Sequence, residues 1–317
     1  MQTKEIHGQD QYGLAVYATW KLSYDKLGPS AKALLQVCSH LHHEGIMEEI
    51  FKNASLSQMQ LDDSNVQMQV AELLIHFGKQ DSKWNSFLFQ KIIGESMSYS
   101  LMEFDSQNQG YSMHPLVQHW SASLLGKNQH DKKKCVLSMI GLSILWRFNI
   151  EDHRYQQRLL QHITRSRGTV KAEEISYLIA SNLALVYKEH GKWKEAEALQ
   201  VVVMEKTKHG LGEEHPDTLT SMANLAGTYR KQGRWKEAEA LEVVVVEKRK
   251  HGLGEKHPDT LRSMANVAVT YRNQGRWKEA EALEVVVIEK RKHSLGEEHP
   301  HRLEIMQNLA STYRNQG

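Results

Sequence analysis

The chain is expected to be mainly α-helical: an α-solenoid of 42-residue helix pairs, preceded by a smaller helical domain carrying one β-hairpin. Three observations predict this. A pattern built on Asn-Leu-Ala-x-x-Tyr and then Trp-Lys-Glu-Ala-Glu-Ala-Leu returns every 42 residues, marked by Asn182, Asn224, Asn266 and Asn308 and by Trp193, Trp235 and Trp277. Within each copy the apolar residues recur at three- and four-residue spacing, as on one face of a helix. Upstream, two short apolar segments, Tyr99 to Phe104 and Tyr111 to Met113, flank the polar stretch Asp105 to Gly110, which is hairpin patterning. A period between 20 and 50 residues marks a stacked array in which no copy can bury its apolar face alone. Such an array is a binding surface before it is a catalyst.

Composition narrows the function classes. The 317 residues leave room for about two domains, and 40% apolar with 25% charged residues reads as soluble and globular. A net charge of +2 leaves no electrostatic footprint for nucleic acid. Two cysteines, Cys38 and Cys135, cannot build a disulfide framework or a Cys-based zinc site and suit the cytoplasm. The first residues hold no apolar signal region, and no run approaches the roughly 18 apolar residues that cross a bilayer.

Along the chain, residues 1–13 form a leader and 14–127 the smaller domain. Thr19 to Leu27 reads as a short amphipathic helix, and Ser30 as the cap of a helix bearing Ala33, Leu34, Val37 and Leu41. Ile46 to Ala54 and Val66 to Phe77 supply further helices, the hairpin follows, and His114-Pro115 opens a last helix. Helices followed by one hairpin form a winged-helix arrangement. From Leu14 to Lys127, eight Lys/Arg face eleven Asp/Glu, a net of −3, which argues against a duplex-binding role. Residues 128–174, with Lys132 to Lys134, Trp146 and Tyr155 to Ile163, read as a helical connector.

The array occupies 175–317. In its second copy the first helix begins at Pro216-Asp217-Thr218, where proline costs no hydrogen bond and the carboxylate meets the positive end of the dipole. Leu219, Met222, Leu225, Ala226 and Tyr229 form its apolar stripe, and Gly233 breaks it. The second helix runs from Trp235 to the basic segment Lys248 to His251, with Gly252 as its stop. Val243 to Val246 alone favours a strand, but its surroundings favour helix, and helix is expected. The chain ends at Gly317, before the second half of the fourth copy, so the last repeat reads as truncated.

The copies resemble tetratricopeptide (TPR) repeats of the long 42-residue, kinesin-light-chain type, carried here by Leu225, Ala226, Tyr229, Gly233, Ala238 and Gly254-Glu-Lys-His257-Pro258-Asp259. The resemblance implies a concave groove lined by the first helices. Asn224, Thr228, Arg230 and Lys231 lie beside the apolar stripe as candidates to face it, with their counterparts Asn182, Asn266, Arg272, Asn308 and Arg314. Amides for a peptide backbone and cations for acidic side chains suit an extended acidic peptide.

Trp20 to Leu27, the run ending Leu41-His-His-Glu-Gly-Ile46, and Tyr111-Ser-Met-His-Pro-Leu-Val-Gln-His-Trp120 resemble the winged-helix region of fungal NB-ARC/STAND (NLR-like) proteins, in which TPR arrays commonly follow. That resemblance implies that the chain is the C-terminal, regulatory part of such a protein, with the nucleotide-binding domain packing on the winged helix. It also implies that His114, in the family's Met-His-Asp position with Pro115 as third residue, approaches the nucleotide phosphates in the longer protein. No Gly-x4-Gly-Lys-Ser/Thr loop occurs in the sequence, so no nucleotide hydrolysis is expected. No catalytic set, resident cofactor or metal site is expected either; one histidine per copy is not a ligand set, and His42-His43-Glu44 reads as a helix-end surface feature. The alternative is a free-standing TPR adaptor, kinesin-light-chain-like, that binds acidic peptides.

Overall fold

The computed structural model describes residues 16–57, 61, 63–80, 83–145, 150–168, 170–295, 310 and 313–314. They are mainly helical, with small hairpins near the N-terminus and paired helices in the second half. Two compact units divide at Leu183/Ala184.

In the first unit, helix α1 covers residues 16–25. Helix α2 (Pro29–Cys38) starts on Gly28 with Pro29 in its first turn; Ser30 lies inside it and is not the cap, because proline already sets the helical entry. Helices α3 (Glu48–Leu56) and α4 (Ser64–Phe77) follow, the latter capped by Asp63, whose carboxylate accepts from the amides of Asn65 and Val66. A two-residue hairpin that the sequence pattern does not announce, β1 (Lys79–Gln80) and β2 (Lys83–Trp84), leads into α5 (Ser86–Ser98), capped by Asn85. The expected hairpin is β3 (Glu103–Asp105) and β4 (Gly110–Ser112), paired antiparallel with Phe104 opposite Tyr111. Ile46 adds a third edge, exchanging both backbone hydrogen bonds with Tyr111. Helix α6 (Pro115–Ser123) closes this winged-helix-like arrangement. Phe51, Phe77 and Phe89 are fully buried at its centre, Phe51 meeting Phe77 edge-on at 5.6 Å.

Residues assigned to the connector are built into this unit. Helix α7 (Gln129–Leu142) buries every residue from Cys135 to Leu142, packed against α3 and α4. A helix buried all round shows no amphipathic stripe, which hides it from a periodicity reading. Helix α8 (Ile150–Arg167) clasps two loops through their backbone carbonyls. Arg158 Nη2 donates to Asn108 O (2.8 Å), Gln161 Nε2 to Glu44 O (3.1 Å) and Ser166 Oγ to His40 O (2.9 Å). Buried His162 receives the amide of His42 at Nδ1 (3.1 Å) and donates from Nε2 to Gly45 O (2.9 Å), and burial lowers its pKa to about 4. The His42-His43 segment is thus a docking loop. Trp146 lies outside the described residues, as does the leader.

Helix α9 (Tyr177–Glu189) spans the division between the units. The second unit continues with α10 (Trp193–Leu211), α11 (Pro216–Lys231), α12 (Trp235–Leu253), α13 (Pro258–Asn273) and α14 (Trp277–Leu295). His215 and His257 cap α11 and α13: each Nδ1 accepts the amide two residues on, of Asp217 and Asp259, at 3.1 Å. The valine runs are helical, as the stacked partner helices demand. Ala226, Ala238, Ala268 and Ala280 are fully buried, the small residues that let paired helices approach. The stop of α12 is Gly254, in the left-handed region at φ +86°, not Gly252, which is one of its helical residues.

Candidate functional site

The candidate binding positions on α9, α11 and α13 run from the middle of each first helix to its C-terminal end, and the structure sorts them into three kinds. Asn182 is buried and donates to Gly141 O at 3.0 Å, a contact between helices of the first unit. Thr228 is also buried, contrary to its expected place on a groove: its hydroxyl donates to Gln200 Oε1 at 2.6 Å. Its counterpart Thr270 donates to Glu242 Oε2, again at 2.6 Å. In both cases the hydroxyl, one turn before the helix end, faces the preceding helix, and that is where its hydrogen bond goes.

Arg230 and Arg272 are partly buried and committed to the array itself. Arg230 Nε is 3.4 Å from Glu242 Oε1, and Nη1 donates to Asn266 O at 3.1 Å, so this side chain ties α11 to α12 and α13. Arg272 Nε is 3.6 Å from Glu284 Oε1. Both carboxylates are almost fully buried. Burial raises the pKa of Glu242, while Arg230 and the Thr270 hydroxyl pull it back. Arg230, Glu242 and Thr270 therefore form a rung, and Arg272 with Glu284 repeats its ion pair one copy on.

Asn224 and Asn266 are half-buried, and Lys231 and Arg314 are exposed. These positions still offer side-chain atoms to a partner. Asn308 lies outside the described residues. Sequence reasoning missed Lys188, which occupies the register of Arg230 and Arg272, and Glu242, the acid that neutralises Arg230. The signal for Glu242 was present: it sits between Ala238 and Val245 at helical spacing, on the buried stripe of α12.

A cleft of about 660 Å³ lies elsewhere in the same unit, lined by Arg234, Trp235, Glu237, Glu239, Gln274 and Arg276 among others. Its cations are already paired. Arg234 stacks on Tyr229 at 4.1 Å and meets Glu197 at 2.6 Å; Arg276 repeats this with Tyr271 at 3.9 Å and Glu239 at 2.7 Å. The cleft is a seam between copies rather than an open electrostatic site.

In the first unit, His114 caps α6, its Nδ1 accepting the Leu116 amide at 3.2 Å, and its side chain is exposed. This is the same His-Pro cap that opens α11 and α13. Cys38 and Cys135 are buried free thiols, and burial pushes the pKa of Cys135 up to about 11. Among the described residues no cluster of three or more His, Cys, Asp or Glu is arranged to hold a metal. Nor is any helix among them long and apolar enough to cross a membrane.

Residues 176–247 and 260–301 each match a family described as Tetratricopeptide repeat, and residues 22–130 match Domain of unknown function (DUF7779). The chain thus carries TPR repeats preceded by a DUF7779 domain, and repeats of this kind bind protein or peptide partners. No curated protein matches the chain. Among solved structures, it is similar to a Podosopora anserina protein named for kinesin light chain and its nearly identical TPR-like repeats. That likeness has 27% identity and a TM-score of 0.42, covering 62% of this chain and 88% of that one. It is also similar to BtubC (BKLC) from P. vanneervenii, at 18% identity and a TM-score of 0.45, covering 62% and 79%.

Proposed function

We propose that the chain is a non-catalytic, cytoplasmic partner-binding protein whose repeats take an extended acidic peptide along their first helices. The observation that carries this reading is the combination of exposed Lys231 with half-buried Asn224 and Asn266 on successive first helices. Arg230 and Arg272 serve the groove as structure, since their charges meet buried glutamates. Lys231→Glu and Asn266→Ala should keep the thermal midpoint of the chain and weaken capture of an amidated hexaglutamate. Unchanged affinity in both variants discards the groove assignment.

We further propose that this array is the sensor of a fungal NLR-like STAND protein, and that the DUF7779 region is the winged helix on which a nucleotide-binding domain packs. Two features support it: the order of the modules, and a capping His114 that uses only Nδ1 for its cap and leaves Nε2 for a phosphate. Partner binding would then shift the population of an open state, which requires unequal affinity for the two states. Calorimetry of this chain with ADP and with ATP should show no binding, since it has no phosphate loop. Tight binding would overturn that claim. Full-strength peptide capture that a nucleotide-binding domain supplied in trans leaves untouched would favour the free-standing adaptor.

A further inference from the structure

The repeats are nearly identical, so selectivity along the array must come from the few positions where the copies differ. Two such positions meet at the first step. Residue 200 is glutamine where later copies have Glu242 and Glu284, and residue 188 is lysine where they have Arg230 and Arg272. Gln200 Oε1 and Glu242 Oε2 each accept from the next copy's threonine at 2.6 Å, so the two side chains hold equivalent poses. Gln200 Nε2 then stands where Glu242 places Oε1 against its arginine. That amide nitrogen is buried and has no hydrogen-bond partner among the described residues. Whichever way the amide is turned it carries no net charge, so it cannot neutralise a cation as Glu242 does.

A third difference makes room. Residue 227 is glycine where its neighbours in register are Leu185 and Val269. A methyl group at Gly227 would stand 3.7 Å from Lys188 Nζ and 3.8 Å from Arg230 Nη2, so two cationic tips gather over this bare part of α11. Lys231 adds a charge on the exposed side. Burial depresses the Lys188 ammonium; Glu189 opposes this, and Arg230 and Lys231 add to it. A half-buried cation beside other cations is relieved by an anion that brings charge-assisted hydrogen bonds.

We infer that the first step of the array is a carboxylate subsite, in which Lys188, Lys231 and Arg230 Nη2 take an Asp or Glu side chain of an acidic peptide. Later steps are closed to anions by their own Glu242 and Glu284. The inference rests on the partner-binding reading above and assigns its acidic selectivity to one step.

The test titrates the full chain at low salt with fluorescein-labelled, C-terminally amidated hexaglutamate. Gln200→Glu supplies from within the carboxylate that neighbouring steps already hold, so it should keep the fold and weaken binding about tenfold or more, the size of a lost charge-assisted contact. Lys188→Met should weaken binding similarly, and Glu242→Gln should strengthen it by freeing the Arg230 charge that Glu242 now meets. If Gln200→Glu binds as tightly as the wild type while Lys231→Glu binds weakly, the subsite is refuted and the groove reading stands. If the wild type does not bind hexaglutamate, both are refuted. A peptide with a free C-terminus and no acidic side chain distinguishes the sources of the carboxylate. Binding of that peptide in preference to amidated hexaglutamate would overturn the side-chain assignment.

Discussion

Replacing Arg230 with methionine tests the rung that joins the repeats, and its two consequences depend differently on pH. The carbonyl of Asn266 loses the donor now 3.1 Å away, at a cost of about 1 kcal/mol at any pH. Glu242, 3% exposed, loses its counter-ion. An ionised carboxylate left alone there would cost roughly 3–5 kcal/mol, but the protein can protonate it instead. Neutralising a carboxyl of ordinary pKa 4.5 at pH 7 takes two and a half pH units at 1.36 kcal/mol each, so the penalty is capped at about 3.4 kcal/mol. At pH 5 the same route costs only about 0.7 kcal/mol. Arg230→Met should therefore lose about 4 kcal/mol at pH 7 and under about 2 kcal/mol at pH 5.

The sign follows from linkage. Burial already raises the Glu242 pKa in the folded chain, and removing Arg230 raises it further. A carboxyl raised on folding leaves stability intact below its unfolded pKa and removes it as pH climbs through the folded value. Urea midpoints at constant slope, followed by tryptophan fluorescence at pH 5 and pH 7, measure the difference. Adding Glu242→Gln to the variant removes the stranded charge, keeps an acceptor for Thr270, and should abolish the pH dependence. An equal loss at both pH values, or none, would refute the buried ion-pair reasoning.

Two other outcomes are expected. His162 is held neutral with its pKa lowered to about 4, so stability is lost as pH falls from 6.5 through that value, by about 2.5 kcal/mol at pH 4.5. His40, likewise lowered to about 4 by burial and then by Lys133, adds in the same direction; His162→Gln should flatten the acid limb of the urea midpoints by its share, and an unchanged limb would exclude this role. Gly252→Ala, in the last turn of α12 with open space around it, should stabilise by up to about 0.5–1 kcal/mol, whereas Gly254→Ala, at φ +86°, should destabilise by about 1 kcal/mol. Thermal midpoints moving in the same direction would refute the cap assignment.

What the sequence made legible was local. The apolar stripe of α11, its His-Pro start and its glycine stop all act within a few residues, so the helix pairs could be read from spacing alone. The hairpin around Asp105 to Gly110 was legible for the same reason. The β1–β2 hairpin was not, since two-residue strands have no alternation to detect. Helix α7 was missed as part of the core because burial on every side leaves no stripe. The candidate site failed where the answer depended on which helix lies opposite. Arg230 and Thr228 are polar residues near a helix end, and only the neighbouring helices turn one into a strut and the other into a buried contact. Arg158, Gln161 and Ser166 of α8 were equally unreadable, being aimed at carbonyls whose positions the fold decides.

The rung has a consequence for how such a chain can change over generations. Glu242 finds its arginine in its own copy and its threonine in the next. A copy duplicated in frame arrives with the arginine and acid that its successor needs, and with the threonine that its predecessor needs. The array can therefore lengthen or shorten in steps of 42 residues without a new interface having to arise. Length becomes a freely varying trait, while any message about what is bound must be written where the pattern breaks, at residues such as Lys188, Gln200 and Gly227.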